Sequence, residues 1–177
     1  MDDPSVPVYV GLGSNLGDRA GHLARAVEML AALPRTTVAR VSSLYETKPW
    51  GLAGQPDFLN AVALLETALD PRSLLLHALA IESRLGRVRT VRWGPRTVDI
   101  DLLVYDHLTL RDPELTLPHP RMLQRAFVLV PLAEIAPGLV VAGRTVADHL
   151  AALGDVGDEV RPAGALPEGG RRSLPGL

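Results

Sequence analysis

The stretch FLNAVALLETALDPRSLLLHALAIESRLG, residues 58–86, contains the junction that decides the fold. Its first part, 58–69, is a β-rich apolar run. Its second part repeats Leu74, Leu75, Ala78, Leu79, Ile81 and Leu85 at the three- and four-residue steps of a helix. Between them, Asp70-Pro71 supplies an N-cap and a proline at the first helical position, where no N–H is needed, and Gly86 marks a helix stop. One strand therefore feeds one helix with no intervening loop.

Working toward the N-terminus, residues 36–47 form a second β-rich run, joined to residue 58 by the ten residues Lys48 to Asp57. A connection of that length often carries function. Before it, residues 6–12 read as a buried strand ending in the tight turn Gly11-Leu12-Gly13-Ser14-Asn15-Leu16-Gly17. Asp18 then caps a helix over 19–33, whose apolar stripe is Leu23, Ala26, Val27, Leu30, Ala31 and Leu33, with Pro34 beyond. Toward the C-terminus, residues 98–105 are another strand. The order β-α-β-β-α-β predicts an α/β (α+β) fold of the ferredoxin-like kind, an antiparallel sheet with both helices on one face. Residues 126–136 and 145–153 add helical segments, and from Gly154 onward glycine, proline and charge dominate. The expected organisation is one domain over residues 1–160 and a flexible tail over 161–177, whose removal leaves activity unchanged.

The 177 residues suit one domain, and 47% hydrophobic with 21% charged residues is enough apolar surface for a core. Eighteen Lys+Arg against 20 Asp+Glu leave a net charge of −2, which opposes a globally basic nucleic-acid binder and makes any anion site local. The absence of cysteine excludes disulfides, thiolate metal sites and thiol catalysis. Residues 1–7 carry two aspartates and no basic stretch, and no apolar run approaches the ~18 residues of a membrane span, so a cytoplasmic protein is expected. Lys48, the sole lysine, lacks the preceding glycine pattern of a P-loop.

The chemistry concentrates in residues 84–101. Arg84, Arg87, Arg89, Arg92 and Arg96 occur with no acidic residue before Asp99, and such guanidiniums repel one another unless an anion joins them. A solvated basic loop is the alternative. In the strand that follows, alternation puts Asp99 and Asp101 on one face, about 6.5–7 Å apart. Mg²⁺ favours one or two carboxylates plus water and substrate phosphates, and paired ions clamp both oxygens of a displacement. Arginines and paired aspartates together suggest ATP chemistry, the alternative being ordinary edge-strand aspartates facing water. A Rossmann reading of the first glycine block fails, because its spacing is G-x-G-x-x-x-G and no second βαβ unit follows. A non-catalytic nucleic-acid module, with Trp93 stacking on bases, is the rival from another class, and the adjacent aspartates oppose it.

The segment from Arg92-Trp93-Gly94-Pro95-Arg96 through Thr97-Val98-Asp99-Ile100-Asp101-Leu102-Leu103 resembles the signature of the 6-hydroxymethyl-7,8-dihydropterin pyrophosphokinase family. The resemblance extends to Gly13 to Gly17, to Tyr45-Glu46-Thr47-Lys48-Pro49-Trp50-Gly51 and to Gln55-Pro56-Asp57-Phe58-Leu59-Asn60. It resumes at Pro118-His119-Pro120-Arg121 and at Arg125 to Leu132. It covers roughly residues 6–140, in family order.

The resemblance implies an ATP-dependent pyrophosphokinase of folate biosynthesis, with ATP and the pterin alcohol as partners and with no nucleic acid or membrane. Two Mg²⁺ ions would rest on Asp99 and Asp101. The pterin would contact Thr47, Trp50, Phe58, Asn60, Trp93 and Phe127. Phe58 and Phe127 would sandwich the ring, and the amide of Asn60 would read its amino-pyrimidinone edge. For the two phenylalanines a plain core role is the alternative. ATP would contact Glu82, Arg89, Arg92, Arg96, Leu102, Thr116, His119 and Arg125. Arg87 and Arg96 would meet the transition state, and Asp101 would also accept the hydroxyl proton. The loop from Gly86 to Trp93 is one residue shorter than the family pattern, so the division of roles among Arg87, Arg89 and Arg92 stays open. The stretch from Arg84 to Trp93 is expected to be a mobile loop that orders over the site only when both substrates are present.

Overall fold

Asp18 and Asp70 each accept a backbone N–H, from Gly21 and Ser73 respectively, and so start the two helices that the sequence predicts. The computed structural model of the protein describes residues 4–48, 54–86 and 97–167. Strand β1 (Val6–Ser14), helix α1 (Arg19–Ala31), strands β2 (Thr36–Val41), β3 (Tyr45–Thr47) and β4 (Phe58–Thr67), helix α2 (Pro71–Arg84) and strand β5 (Asp99–Tyr105) follow in that order. A small pair, β6 (Leu110–Arg111) with β7 (Thr116–Leu117), leads through a 3-10 turn at Met122–Gln124 into helix α3 (Ala126–Ile135). A second pair, β8 (Val140–Val141) with β9 (Arg144–Thr145), precedes helix α4 (Val146–Ala152) and strand β10 (Val160–Pro162).

The main sheet runs β10-β3-β4-β1-β5, with β2 also on β4, and its pairings are antiparallel. Alternation along the strands gives it two apolar faces. Val8, Val10 and Leu12 of β1 and Ile100 and Leu102 of β5 point into a core closed by Leu23 and Leu30 of α1 and Leu74 and Ile81 of α2. Val62 of β4 and Leu103 of β5 point the other way, onto Leu129 and Leu132 of α3 and Val146 of α4. This is the expected mixed α/β ferredoxin-like arrangement, with α3 and α4 covering part of the second face.

Three local features differ from the sequence expectation. Strand β1 continues through Gly11 and Gly13 to Ser14, where the turn was expected, and the left-handed bend comes at Gly17, whose φ is 68°. The run 36–47 is two strands. The hydroxyl of Ser42 accepts from Val62 N–H at 2.9 Å, taking the place of a carbonyl in the ladder, and Leu44 pairs elsewhere. Its N–H donates to Gly164 O and its carbonyl accepts from Ala163 N–H. The sheet thus continues past residue 160, where the tail was expected to begin: β10 pairs with β3, and Leu166 packs on the first core. Residues 168–177 lie outside the described residues.

Candidate active site

The uncovered part of the second sheet face forms an open cleft of about 530 Å³. Its floor follows from register. Because Ile100 and Leu102 are committed to the first core, Asp99 and Asp101 of β5 must face the cleft. Gly13 of β1 pairs with Asp99 on one side and with Asn60 of β4 on the other, and Gly11 sits likewise between Asp101 and Val62. A Cβ at Gly13 would lie 3.0 Å from Asn60 Oδ1 and 3.6 Å from the Phe58 ring. The glycines therefore keep the floor open between a carboxylate end and an amide-and-ring end.

At the amide end, Asn60 Nδ2 donates to the hydroxyl of Thr47 at 2.6 Å. Both side chains are nearly buried, at 7% and 5% exposure, so the bond fixes which way the amide points. Two residues back on β4, Phe58 shares the face of Asn60 and lines the cleft. Phe127 comes from the first turn of α3, with the guanidinium carbon of Arg125 5.4 Å from its ring centroid, a cation–π contact. Helix α3 is itself tied to the strand that carries Thr47. Glu134 accepts from the Tyr45 hydroxyl at 2.5 Å and from Ser43 N–H at 2.8 Å. Burial and that carboxylate push the Tyr45 phenol up to about 12.

His119, Arg121, Gln124 and Arg125 form the wall beside the aspartates. The N–H of His119 donates to Leu103 O at 2.8 Å, and its Nδ1 accepts from Arg121 N–H at 3.2 Å, which puts the proton of the neutral ring on Nε2. Burial, followed by the charges of Arg125 and Arg121, lowers the His119 pKa to about 4. Burial also lowers the pKa of Arg125, Arg121 adds to this, and Asp101 and Asp99 oppose it. The wall is cationic and the floor anionic. Two carboxylates on one open face suit a hard cation such as Mg²⁺ that completes its shell with water and substrate oxygens. Among the described residues no group of three or more His, Cys, Asp or Glu forms a self-sufficient metal cage.

Of the site residues expected from sequence, the cleft brings together Thr47, Phe58, Asn60, Asp99, Asp101, His119, Arg125 and Phe127. It does not include Glu82, Leu102 or Thr116. Glu82 lies buried in α2 and accepts from Ile100 N–H at 2.8 Å, beneath the strand that holds the aspartates. The Leu102 side chain belongs to the first core because it alternates with Asp101. Thr116 bonds to Asp112 O within the β6–β7 pair. Trp50, Arg87, Arg89, Arg92, Trp93 and Arg96 lie outside the described residues, as does the expected loop beyond Gly86, whereas its first residue, Arg84, is the last of α2. Lys48, Arg121 and Gln124 also line the cleft and were not among the expected site residues. Arg121, two positions after His119, was within reach of the sequence argument.

A family model for 7,8-dihydro-6-hydroxymethylpterin-pyrophosphokinase (HPPK) matches residues 9–137. A 2-amino-4-hydroxy-6-hydroxymethyldihydropteridine pyrophosphokinase of Methylorubrum extorquens is 54% identical over 151 residues, covering 85% of this chain and 96% of that protein. The Pseudomonas aeruginosa protein of the same name is 46% identical over 156 residues, covering 88% and 96%. Among solved structures, an HPPK-DHPS in complex with substrates superposes with a TM-score of 0.69 at 12% identity, over 84% of this chain and 43% of that one. A Plasmodium falciparum HPPK-DHPS triple mutant with pteroate gives 0.69 at 13% identity, over 89% and 46%. The chain thus spans less than half of those solved chains, and the likeness to them is one of fold. By the extent of the family match and the identity to full-length relatives, the chain belongs to the 7,8-dihydro-6-hydroxymethylpterin-pyrophosphokinase family, a family of enzymes.

Proposed function

We propose that the chain transfers the diphosphate of ATP to 6-hydroxymethyl-7,8-dihydropterin, giving the pterin diphosphate and AMP, a step of tetrahydrofolate biosynthesis. The observation that carries this reading is the shared floor. Asp99 and Asp101 stand across Gly13 and Gly11 from Asn60 and Val62, so one cleft has an end suited to metal and polyphosphate and an end suited to a flat polar heterocycle. The Methylorubrum extorquens and Pseudomonas aeruginosa relatives are named as pyrophosphokinases of 2-amino-4-hydroxy-6-hydroxymethyldihydropteridine, which supports this reading.

Asn60, held by Thr47, presents one edge of its amide to the pterin, and Phe58 and Phe127 offer ring faces for stacking. The cationic wall of Arg121 and Arg125 attracts the polyphosphate, and neutral His119 offers an Nε2–H donor to an anionic oxygen. Asp99 and Asp101 would hold Mg²⁺, which supplies charge neutralisation to the phosphate oxygens when bound. The hydroxymethyl oxygen forms a bond to the β-phosphorus, the bridging bond to the α-phosphate breaks, and AMP departs with the bridging oxygen. Asp101 accepts the hydroxyl proton. The family resemblance assigns Arg87, Arg89, Arg92 and Arg96 jointly to the nucleotide and to the charge of the transition state. Most of the acceleration then comes from positioning and charge compensation. We place the reaction in the cytoplasm, as expected from the sequence.

The test is incubation of the purified chain with ATP, Mg²⁺ and the reduced pterin alcohol, with separation of the nucleotide products. AMP equal in amount to the pterin diphosphate is the expected result. ADP as product, or no pterin-dependent turnover, would overturn the proposal.

A further inference from the structure

We infer that the C-terminal strand β10, through Arg161, is a positioning element for the pterin-reading end of the cleft; the inference rests on the pterin reading of that end. Strand β3 is three residues long, and without β10 it would be an edge strand held from one side only. Its last residue is Thr47, the acceptor that orients Asn60. In the sheet Thr47 lies between Phe58 of β4 and Val160 of β10, so the C-terminal strand holds the outer side of the residue that aims the amide.

The charges on the reverse side of the sheet strengthen this. Thr47 and Tyr45 face α3 and the cleft, so Glu46 and its register partner Arg161 face the other way. Arg161 Nη2 reaches Asp57 Oδ2 at 3.1 Å. Glu46 pairs with Arg19 of α1 at 3.0 Å, and the same Arg19 nitrogen donates to Asp57 O at 2.8 Å. Asp57, the residue immediately before Phe58, is thus gripped by its carboxylate from the C-terminus and by its carbonyl from the first helix. Arg161, Asp57, Arg19 and Glu46 thus form a chain of contacts behind the sheet, whose Arg161–Asp57 link joins residues 104 apart in sequence. The network sits behind the pocket and does not line it, so Arg161 acts through Asp57, Phe58 and Thr47.

The pairs are partly exposed, so each contributes modestly and the effect of one substitution is limited. Arg161→Ala should raise the KM for the pterin about two- to fivefold, with the KM for ATP nearly unchanged, and Arg161→Lys should recover most of the loss. A chain ending at residue 159 should lose more, about tenfold or beyond, because Val160 and the Leu44 pairing go with it. Amide exchange is the second readout, since it needs no turnover. In Arg161→Ala, exchange should quicken at Tyr45–Thr47 and stay unchanged in β1. Unaltered pterin KM together with unaltered exchange in β3 would overturn the inference, as would an equal rise in both KM values. If the unaltered chain does not turn over the pterin at all, the functional reading fails, while the exchange comparison still decides whether β10 holds β3.

Discussion

Gly13 and Asn60 are register partners across β1 and β4, and the missing side chain of the first is what gives the amide oxygen of the second its place, 3.0 Å from where a Cβ would stand. Contacts that close are tighter than ordinary van der Waals packing, so the pair behaves as one unit: a glycine in the floor and a reader beside it.

Gly13→Ala should therefore displace the Asn60 side chain while β1 remains a strand, since position 13 is not among the positive-φ residues. Pterin affinity should fall about tenfold or more with ATP affinity nearly unchanged, measured by titration calorimetry of each ligand. Equal affinity for the pterin would show that Asn60 is not the reader.

Thr47→Val removes the acceptor of the 2.6 Å bond and leaves a buried amide N–H without its partner. Such a loss costs about 1–3 kcal/mol. Thermal unfolding should report the destabilisation, and pterin binding should weaken further because the amide is released to rotate. A variant that is destabilised but binds the pterin normally would assign Thr47 a structural role only.

Phe58→Ala and Phe127→Ala should each weaken pterin binding by about 1–3 kcal/mol, the range for a stacked heterocycle on an aromatic ring. Phe127→Ala also removes the ring beneath Arg125, so it should have the larger effect on ATP of the two. Loss of stability with unchanged pterin affinity would restore the plain core reading of both rings.

His119 has a folded pKa of about 4, below its ordinary 6.5, so between these values the unfolded chain binds more protons than the folded one. The contribution is whole above pH 6.5 and is lost as the pH falls toward 4. Thermal midpoints of the unaltered chain and of His119→Gln, compared across that window, should converge or cross as the pH drops. Parallel curves would show that burial of the imidazole does not govern the acid limb.

The elements legible in the sequence are those whose signals are local. Asp70-Pro71 and Gly86 bound α2 because capping and ring geometry act within one turn. The shared face of Asp99 and Asp101, and that of Phe58 and Asn60, follow from two-residue alternation once the strands are recognised. The features not legible depend on distant partners. Ser42 splits the β-rich run because its hydroxyl replaces a ladder carbonyl for Val62, which only the folded register reveals. Strand β10 lies in a stretch of glycine, proline and charge with no periodicity, and it forms because β3 offers an open edge and Asp57 a carboxylate for Arg161. Glycines 11 and 13 read as a turn by composition, yet they are strand residues because β4 and β5 pair with β1 on both sides of them, which only the folded register reveals.

The fate of a labelled β-phosphate separates diphosphate transfer from transfer of a single phosphoryl group. With ATP labelled at the β-phosphorus, the pterin alcohol and Mg²⁺, the account predicts that the label leaves the nucleotide and appears in the pterin product, with unlabelled AMP released in equal amount. Asp99→Ala and Asp101→Ala should each abolish that transfer while retaining the folded circular dichroism spectrum. Label remaining in the nucleotide as ADP, or normal transfer by either aspartate variant at millimolar Mg²⁺, would contradict it.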